Sequence, residues 1–207
     1  MQLVTSKCSH CERLLVPSIV KTKVFQSFLK SANFRENVCG AALARHYGYL
    51  LQLNPFDRSK THFNKCCDYA LIDPILGKGL TCEHQDCFYL KDLKTGDFSF
   101  ELFTHGKSGT RDGKLLYLDC DKFVYSAPHL QKLFFFDWKP LKELLIYLYE
   151  NEMVEVLDFN NSNWKNDSAP VSLILADCQL VMSELSGNFS VFSYEDLNIK
   201  HIFKNYE

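Results

Sequence analysis

The hydrophobic period of the chain changes near Cys82, and that change constrains the fold more than any other feature. Before it, apolar residues recur at helical spacing: Val24, Phe25, Phe28 and Leu29, then Cys39, Leu43, Tyr47, Leu50 and Leu51. Side chains three and four apart share a helix face, so this spacing predicts one helix over Lys21–Ala32 and a second to about Leu53, opened by an Asn33/Glu36 capping box. Gly40 and Gly48 interrupt the second pattern, and Tyr47–Leu53 reads equally well as a strand. Beyond Cys82, Phe98, Phe100 and Leu102 alternate with Ser99, Glu101 and Phe103, the period of a strand.

A Gly106–Gly113 turn joins that run to Lys114–Tyr125, which predicts a β-hairpin with a long tip. Lys139-Pro140 opens a helix that turns Leu141, Leu144, Leu145, Leu148 and Tyr149 inward. The acids Glu150, Glu152, Glu155 and Asp158 oppose the negative helix C-terminus and stop it near Glu150. Ala169–Met182 is expected to be an apolar strand, with Asn188–Tyr194 pairing to it across Gly187. Ser193 and Asp196 make a capping box for a last short helix. No repeat or linker divides the chain, so residues 1–207 read as one α+β domain with a helical insert over about 20–66. Hairpins around a wedged helix give the element order of a small Greek-key β-barrel of the OB type.

Nine cysteines, an odd number, come without any visible secretory leader, which favours a reduced protein with a metal site. Cys8-Ser-His-Cys11 is a C-x₂-C turn, and two thiolates at that spacing grip one face of a tetrahedral Zn²⁺. The expected second half is Cys82 and Cys87, with His84 between them as an optional donor and Cys66-Cys67 as the next choice. A zinc joining these pairs closes a loop of about 75 residues, a long-range clip. Cys39, Cys120 and Cys178 lie inside periodic segments and are assigned to the core.

Composition narrows the function classes. Hydrophobic residues are 46% of the chain, enough for a core. The richest apolar run, Leu144–Tyr149, is far short of the roughly 18 residues of a membrane span, so no membrane partner is expected. Residues 1–65 carry ten Lys/Arg and three acids, net +7, against −9 for the remainder. A basic third suits a nucleic-acid backbone, with Lys21, Lys23, Lys30, Arg35 and Arg45 as candidate phosphate contacts. Tyr117 and Tyr125 are candidate rings for stacking bases. Phe134, Phe135 and Trp138, in Leu133-Phe-Phe-Phe-Asp-Trp138, mark either a partner interface or a buried strand. No phosphate loop, nucleophile elbow or H-E-x-x-H helix is present, and His46, His62, His105, His129 and His201 stand singly. The chain therefore reads as non-catalytic, with no small-molecule substrate.

Two family resemblances follow from these residues. Asp73-Pro-Ile-Leu-Gly-Lys-Gly-Leu-Thr-Cys-Glu-His-Gln-Asp-Cys-Phe88 resembles the stretch of SP-RING (Miz-type) SUMO ligases that runs into C-x-H-x-x-C-F, with Cys82 and His84 as implied ligands. The C-x₂-C pair which that family carries 15–25 residues later is missing, which makes this the second reading. The order of C-x₂-C turn, later Cys pair and hairpin–helix–hairpin is similar to the zinc-bearing third OB-fold of the replication protein A large subunit. Within that superfamily, the insert, the acidic second half and the ending Asn198-Ile-Lys-His-Ile-Phe-Lys-Asn-Tyr-Glu207 most resemble the C-terminal region of the shieldin complex subunit two family. That resemblance implies a nuclear, chromosome-associated module that protects resected DNA ends. It would bind single-stranded DNA and dock another shieldin subunit, subunit one.

Overall fold

The computed structural model describes residues 23–53, 67–86, 96–106, 109–159 and 171–203. Helix α1 (Lys23–Tyr47) leads to strand β1 (Leu50–Leu53), β2 (Tyr69–Ile72), β3 (Gly79–Asp86), β4 (Asp97–Gly106) and β5 (Gly109–Asp112). A short α2 (Lys114–Tyr117) precedes β6 (Lys122–Ala127), β7 (Lys132–Asp137), α3 (Trp138–Glu150) and β8 (Glu155–Phe159). β9 (Val171–Asp177), α4 (Cys178–Glu184), β10 (Phe189–Ser193) and α5 (Lys200–Phe203) follow. The strands form a six-stranded sheet, ordered β1-β2-β3-β6-β7-β10, and a four-stranded sheet, ordered β5-β4-β9-β8. The described strands do not close into a barrel; the architecture is α+β with two open sheets.

Layering explains the apolar runs. The six-stranded sheet is buried on both faces. Toward α1 it presents Tyr69, Leu71, Cys82, Val124, Leu133 and Phe135, packed with Cys39, Ala42 and Leu43. Its other face presents Ala70, Phe123, Tyr125, Phe134 and Phe136 against Phe98, Phe100 and Ile174 of the smaller sheet and Trp138, Leu141 and Leu145 of α3. A strand buried on both sides has no polar alternation, which is why Leu133–Phe136 reads as an unbroken apolar run.

α1 does not break at Asn33. Its stripe continues through Cys39 and Leu43, both fully buried, so burial outweighs a capping box in mid-helix. The helix stops at Gly48, whose φ of +68° allows Gly48 N to donate to Arg45 O at 3.3 Å and Tyr49 N to Ala44 O at 2.7 Å, a Schellman end. Tyr47–Leu53 therefore splits between helix end and strand.

Two strand pairings differ from the sequence expectation. β4 pairs with β5 and β9, and the chain then turns into α2, so Lys114–Tyr125 is not the return arm of one hairpin. β6 joins the other sheet instead, parallel to β3 and antiparallel to β7. Asn188–Tyr194 does not pair with β9: Asp177 caps α4 by accepting from Leu180 N at 2.7 Å, ending the strand at Asp177. α4 then carries the chain over to β7, where Phe189 faces Phe136 and Val191 faces Phe134. One expectation holds and one holds in part, since the Ser193/Asp196 box forms but closes the turn 194–198, and α5 begins only at Lys200. α3 ends at Glu150, and the Ser193/Asp196 box is reciprocal, with Asp196 N on Ser193 Oγ at 2.9 Å and Ser193 N on Asp196 Oδ2 at 3.1 Å.

Candidate functional site

β3 lies in the middle of the larger sheet, and alternation sends its side chains to opposite faces. Glu83 points toward the smaller sheet, where Lys114 Nζ meets Glu83 Oε1 at 2.5 Å. Gly113 sets that meeting. β4 bulges between Glu101 and Phe103, and Gly113 N donates to Leu102 O at 2.8 Å, which starts α2 with Lys114. A Cβ at Gly113 would sit 2.6 Å from the Leu102 carbonyl carbon and 2.7 Å from Glu101 O, so only glycine fits. Asp68, just before β2, accepts from His84 N at 2.7 Å.

The charges in this cluster are coupled. Burial, then the neighbouring Asp68, pushes the Glu83 carboxyl up to about 8. Burial also raises Asp68, against the pull of Lys114. Burial disfavours the Lys114 ammonium, but Glu83 and Asp68 outweigh it and hold its pKa well above the usual lysine value. A third of the Lys114 side chain still reaches solvent. Two carboxyls near one ammonium repel each other, which favours protonation on the carboxyl side and keeps the Lys114 ammonium charged.

On the α1 face, His84 is 2% exposed, and burial, then the Lys114 and Arg35 cations, lowers its pKa to about 3. It is a neutral imidazole. Among the described residues, neither of its ring nitrogens, nor the hydroxyl of the adjacent Tyr69, has a hydrogen-bond partner. Cys82 is fully buried, donates to Leu80 O at 3.5 Å, and is held protonated by burial and then by Cys67. Cys120 Sγ donates to Lys122 O at 3.2 Å, and burial, then the neighbouring Cys67, raises its pKa.

The opposite end of β2 is exposed. The turn from Asp73 to Lys78 presents Ile75 at 90% and Leu76 at 67% exposure. Its backbone is fixed: Asp73 Oδ1 accepts from Ile75 N at 2.7 Å and Leu76 N at 3.0 Å, Gly77 N donates to Asp73 O at 2.9 Å, and Asp73 N to Lys78 O at 2.8 Å. Leu50, opposite Ile72 in the register, is also exposed and extends the apolar end of the sheet.

The sequence-derived sites fare unevenly. Cys8, Cys11, Cys66, Cys87 and Lys21 lie outside the described residues. Lys23 and Lys30 lie on α1. Arg35 is 1% exposed, so it does not offer its guanidinium to a phosphate; it belongs to the packed face around His84. Arg45 Nη2 donates to Leu197 O at 2.6 Å and ties α1 to the C-terminal turns. Tyr117 is half-buried against the core between the sheets. Tyr125 is buried, its hydroxyl 3.3 Å from Ser99 Oγ, and presents no ring for stacking. Phe134, Phe135 and Trp138 are buried, which settles that segment as a core strand running into a helix and removes the three as a partner surface. Among the described residues no group of three or more His, Cys, Asp or Glu side chains is arranged around a metal position. Of the predicted zinc set Cys8, Cys11, Cys82 and Cys87, Cys82 alone lies among the described residues. Asp68, Glu83 and Lys114 were missed, the available signal being no more than an acid directly before the apolar strand Tyr69–Ile72. Among the described residues no helix is long and apolar enough to cross a membrane.

Comparison of the chain with protein-family models, with curated proteins and with solved structures returns no match.

Proposed function

We propose that the chain is a binding module, a non-catalytic scaffold that docks a partner protein and, more weakly, single-stranded DNA in the protection of resected double-strand breaks. The observation that carries the docking half is the rigid turn presenting Ile75 and Leu76. Turn centres normally carry Gly, Asn, Asp or Pro, and two aliphatic side chains held out by four turn hydrogen bonds have no folding role. Such a knob fits an apolar pocket, and central, desolvated contacts of this kind dominate binding energy. The shieldin-like resemblance supplies the partner, shieldin subunit one, the setting on nuclear chromatin, and an OB-like derivation of the strands. The DNA half rests on the excess of Lys and Arg before residue 66, with Lys23 and Lys30 on α1.

The test is binding of the whole chain to shieldin subunit one by calorimetry, and to fluorescent single-stranded DNA by anisotropy across a salt titration. Replacing Ile75 and Leu76 together by Asp should weaken the protein complex at least tenfold and leave DNA binding unchanged. DNA affinity should fall steeply with salt, because Lys and Arg displace condensed counterions. Full-strength protein binding by the double variant removes the docking reading, and no DNA binding at about 50 mM salt removes the DNA reading.

A further inference from the structure

We propose that internal water is bound between α1 and the larger sheet, bridging the Tyr69 hydroxyl to the imidazole of His84. Tyr69 pairs with Cys82 across β2 and β3, which makes His84, two residues on, its diagonal neighbour on the α1 face. The two rings lie 6.3 Å apart between centroids, at 51° between planes. Both residues are buried. Among the described residues the Tyr69 hydroxyl and both His84 ring nitrogens have no hydrogen-bond partner. Three such atoms on two neighbouring side chains mark a site, because buried polar groups in folded proteins almost always have partners.

The surroundings fix where the hydroxyl sits. Gly40 of α1 lets the Tyr69 ring approach the helix: a Cβ there would stand 3.3 Å from Tyr69 Cζ, the carbon that carries the hydroxyl, and 3.1 Å from Leu51 Cδ1. The hydroxyl is thereby held against buried helix instead of turning to solvent. The polar groups nearest to His84 are engaged elsewhere. Asp68 Oδ2 accepts from the His84 backbone N at 2.7 Å, and Cys82 Sγ donates to Leu80 O at 3.5 Å.

The chemistry of the ring selects the ligand. His84 is a neutral imidazole, so one ring nitrogen donates and the other accepts. A metal cation would use only the accepting nitrogen, and a simple anion only the donating one. Water does both, as does the Tyr69 hydroxyl. A water between the hydroxyl and one edge of the ring has two of the two to four polar partners that a buried water takes. The other edge of the ring takes a second water. Together they make a polar joint in the otherwise apolar seam of Cys39, Leu43, Leu71 and Val124 that holds α1 to the sheet.

The test begins with denaturant melts of the whole chain carrying Tyr69→Phe, which removes only the hydroxyl. If the hydroxyl is bonded to water, its loss breaks the bridge and the melting midpoint falls. A buried hydroxyl with no partner gives the opposite sign: its deletion leaves the midpoint unchanged or raises it, and that result overturns the proposal. A variant too unstable to melt cleanly leaves the decision to a crystal structure of the wild-type chain, at a resolution that shows ordered water. The expected result is a water at hydrogen-bond distance from both Tyr69 Oη and one His84 ring nitrogen, with a second water on the other nitrogen. A protein group from elsewhere in the chain bonded in their place overturns the proposal. So does a metal or halide ion on His84, or a dry contact between the two rings.

Discussion

Lys114 Nζ stands 2.5 Å from Glu83 Oε1, joining the start of α2 to the middle of β3 across the space between the sheets. Glu83 has its pKa raised to about 8, above the carboxyl value of the unfolded chain. The folded state therefore holds a proton that the unfolded state releases once the pH passes the ordinary carboxylate range. Stability is greatest below that range and declines as the pH climbs toward 8, with a slope of at most about 1.4 kcal/mol per pH unit for one proton. Denaturant melts between pH 5 and pH 8.5 should show this fall. Glu83→Gln keeps an acceptor for Lys114 but cannot titrate, and should flatten the slope. An unchanged slope in the variant would place the proton elsewhere.

Gly113 makes that ion pair possible, which gives a separate prediction. Its α-carbon faces the bulged backbone of β4, where even a methyl group would lie under 3 Å from Leu102 C and Glu101 O. Backbone cannot rotate away as a side-chain tip can. Gly113→Ala should cost about 1–3 kcal/mol in a denaturant melt, like other overpacked sites. It should also extend the pH dependence to higher pH, because α2 must shift and carry away Lys114, whose charge lowers the Glu83 pKa. Retention of full stability would mean that the bulge is soft.

Sequence pattern reached the elements whose partners lie close along the chain. α3 was legible because Leu141, Leu145 and Leu148 repeat at helical spacing and are all buried. The Ser193/Asp196 box was legible because its bonds span three residues. What stayed hidden was pairing at long range. Val124 lies beside His84 in parallel register, and nothing within Lys122–Ala127 distinguishes a strand that joins β3 from one that returns to β4. Arg35 and Tyr125 were misplaced for a related reason. Residue type favours the surface for Arg and tolerates it for Tyr, but the helix stripe turns Arg35 inward, and the Tyr125 hydroxyl finds Ser99 N at 3.2 Å inside the core. Cys39 and Cys120 were assigned to the core from their periodic setting, and both are buried there.

Asp73 holds the exposed turn, and its role can be separated from contact. Asp73→Ala removes the acceptor for Ile75 N and Leu76 N but leaves both aliphatic side chains in place. Exposed turn bonds of this kind are worth about 1 kcal/mol, so the melting midpoint should fall only slightly. The complex with a partner that takes the knob should weaken further than that, since the freed loop must be ordered on binding. Calorimetry on Asp73→Ala beside the Ile75/Leu76 double variant checks this. Equal affinity of Asp73→Ala and wild type would show that rigidity of the turn contributes nothing.

Trp138 gives the clearest contrast between a core anchor and an interface anchor. It is 2% exposed, its ring stacks on Phe123 at 4.9 Å between centroids with 22° between planes, and its Nε1 donates to Leu118 O at 3.1 Å. Trp138 N also donates to Asp121 O at 3.0 Å, which fixes the start of α3 against the loop before β6. Trp138→Ala should cost about 3–5 kcal/mol by opening a cavity between α3 and β6. Trp138→Phe should cost far less: it keeps most of the packing, and Leu118 O still accepts from Lys142 Nζ at 3.1 Å. An interface anchor would behave in the opposite way, with Trp138→Ala leaving the melting temperature untouched and abolishing partner binding. A denaturant melt of the two variants beside a binding measurement distinguishes the cases. The expected result is loss of stability in the order Trp138→Ala, then Trp138→Phe, with binding per folded molecule of Trp138→Phe unchanged.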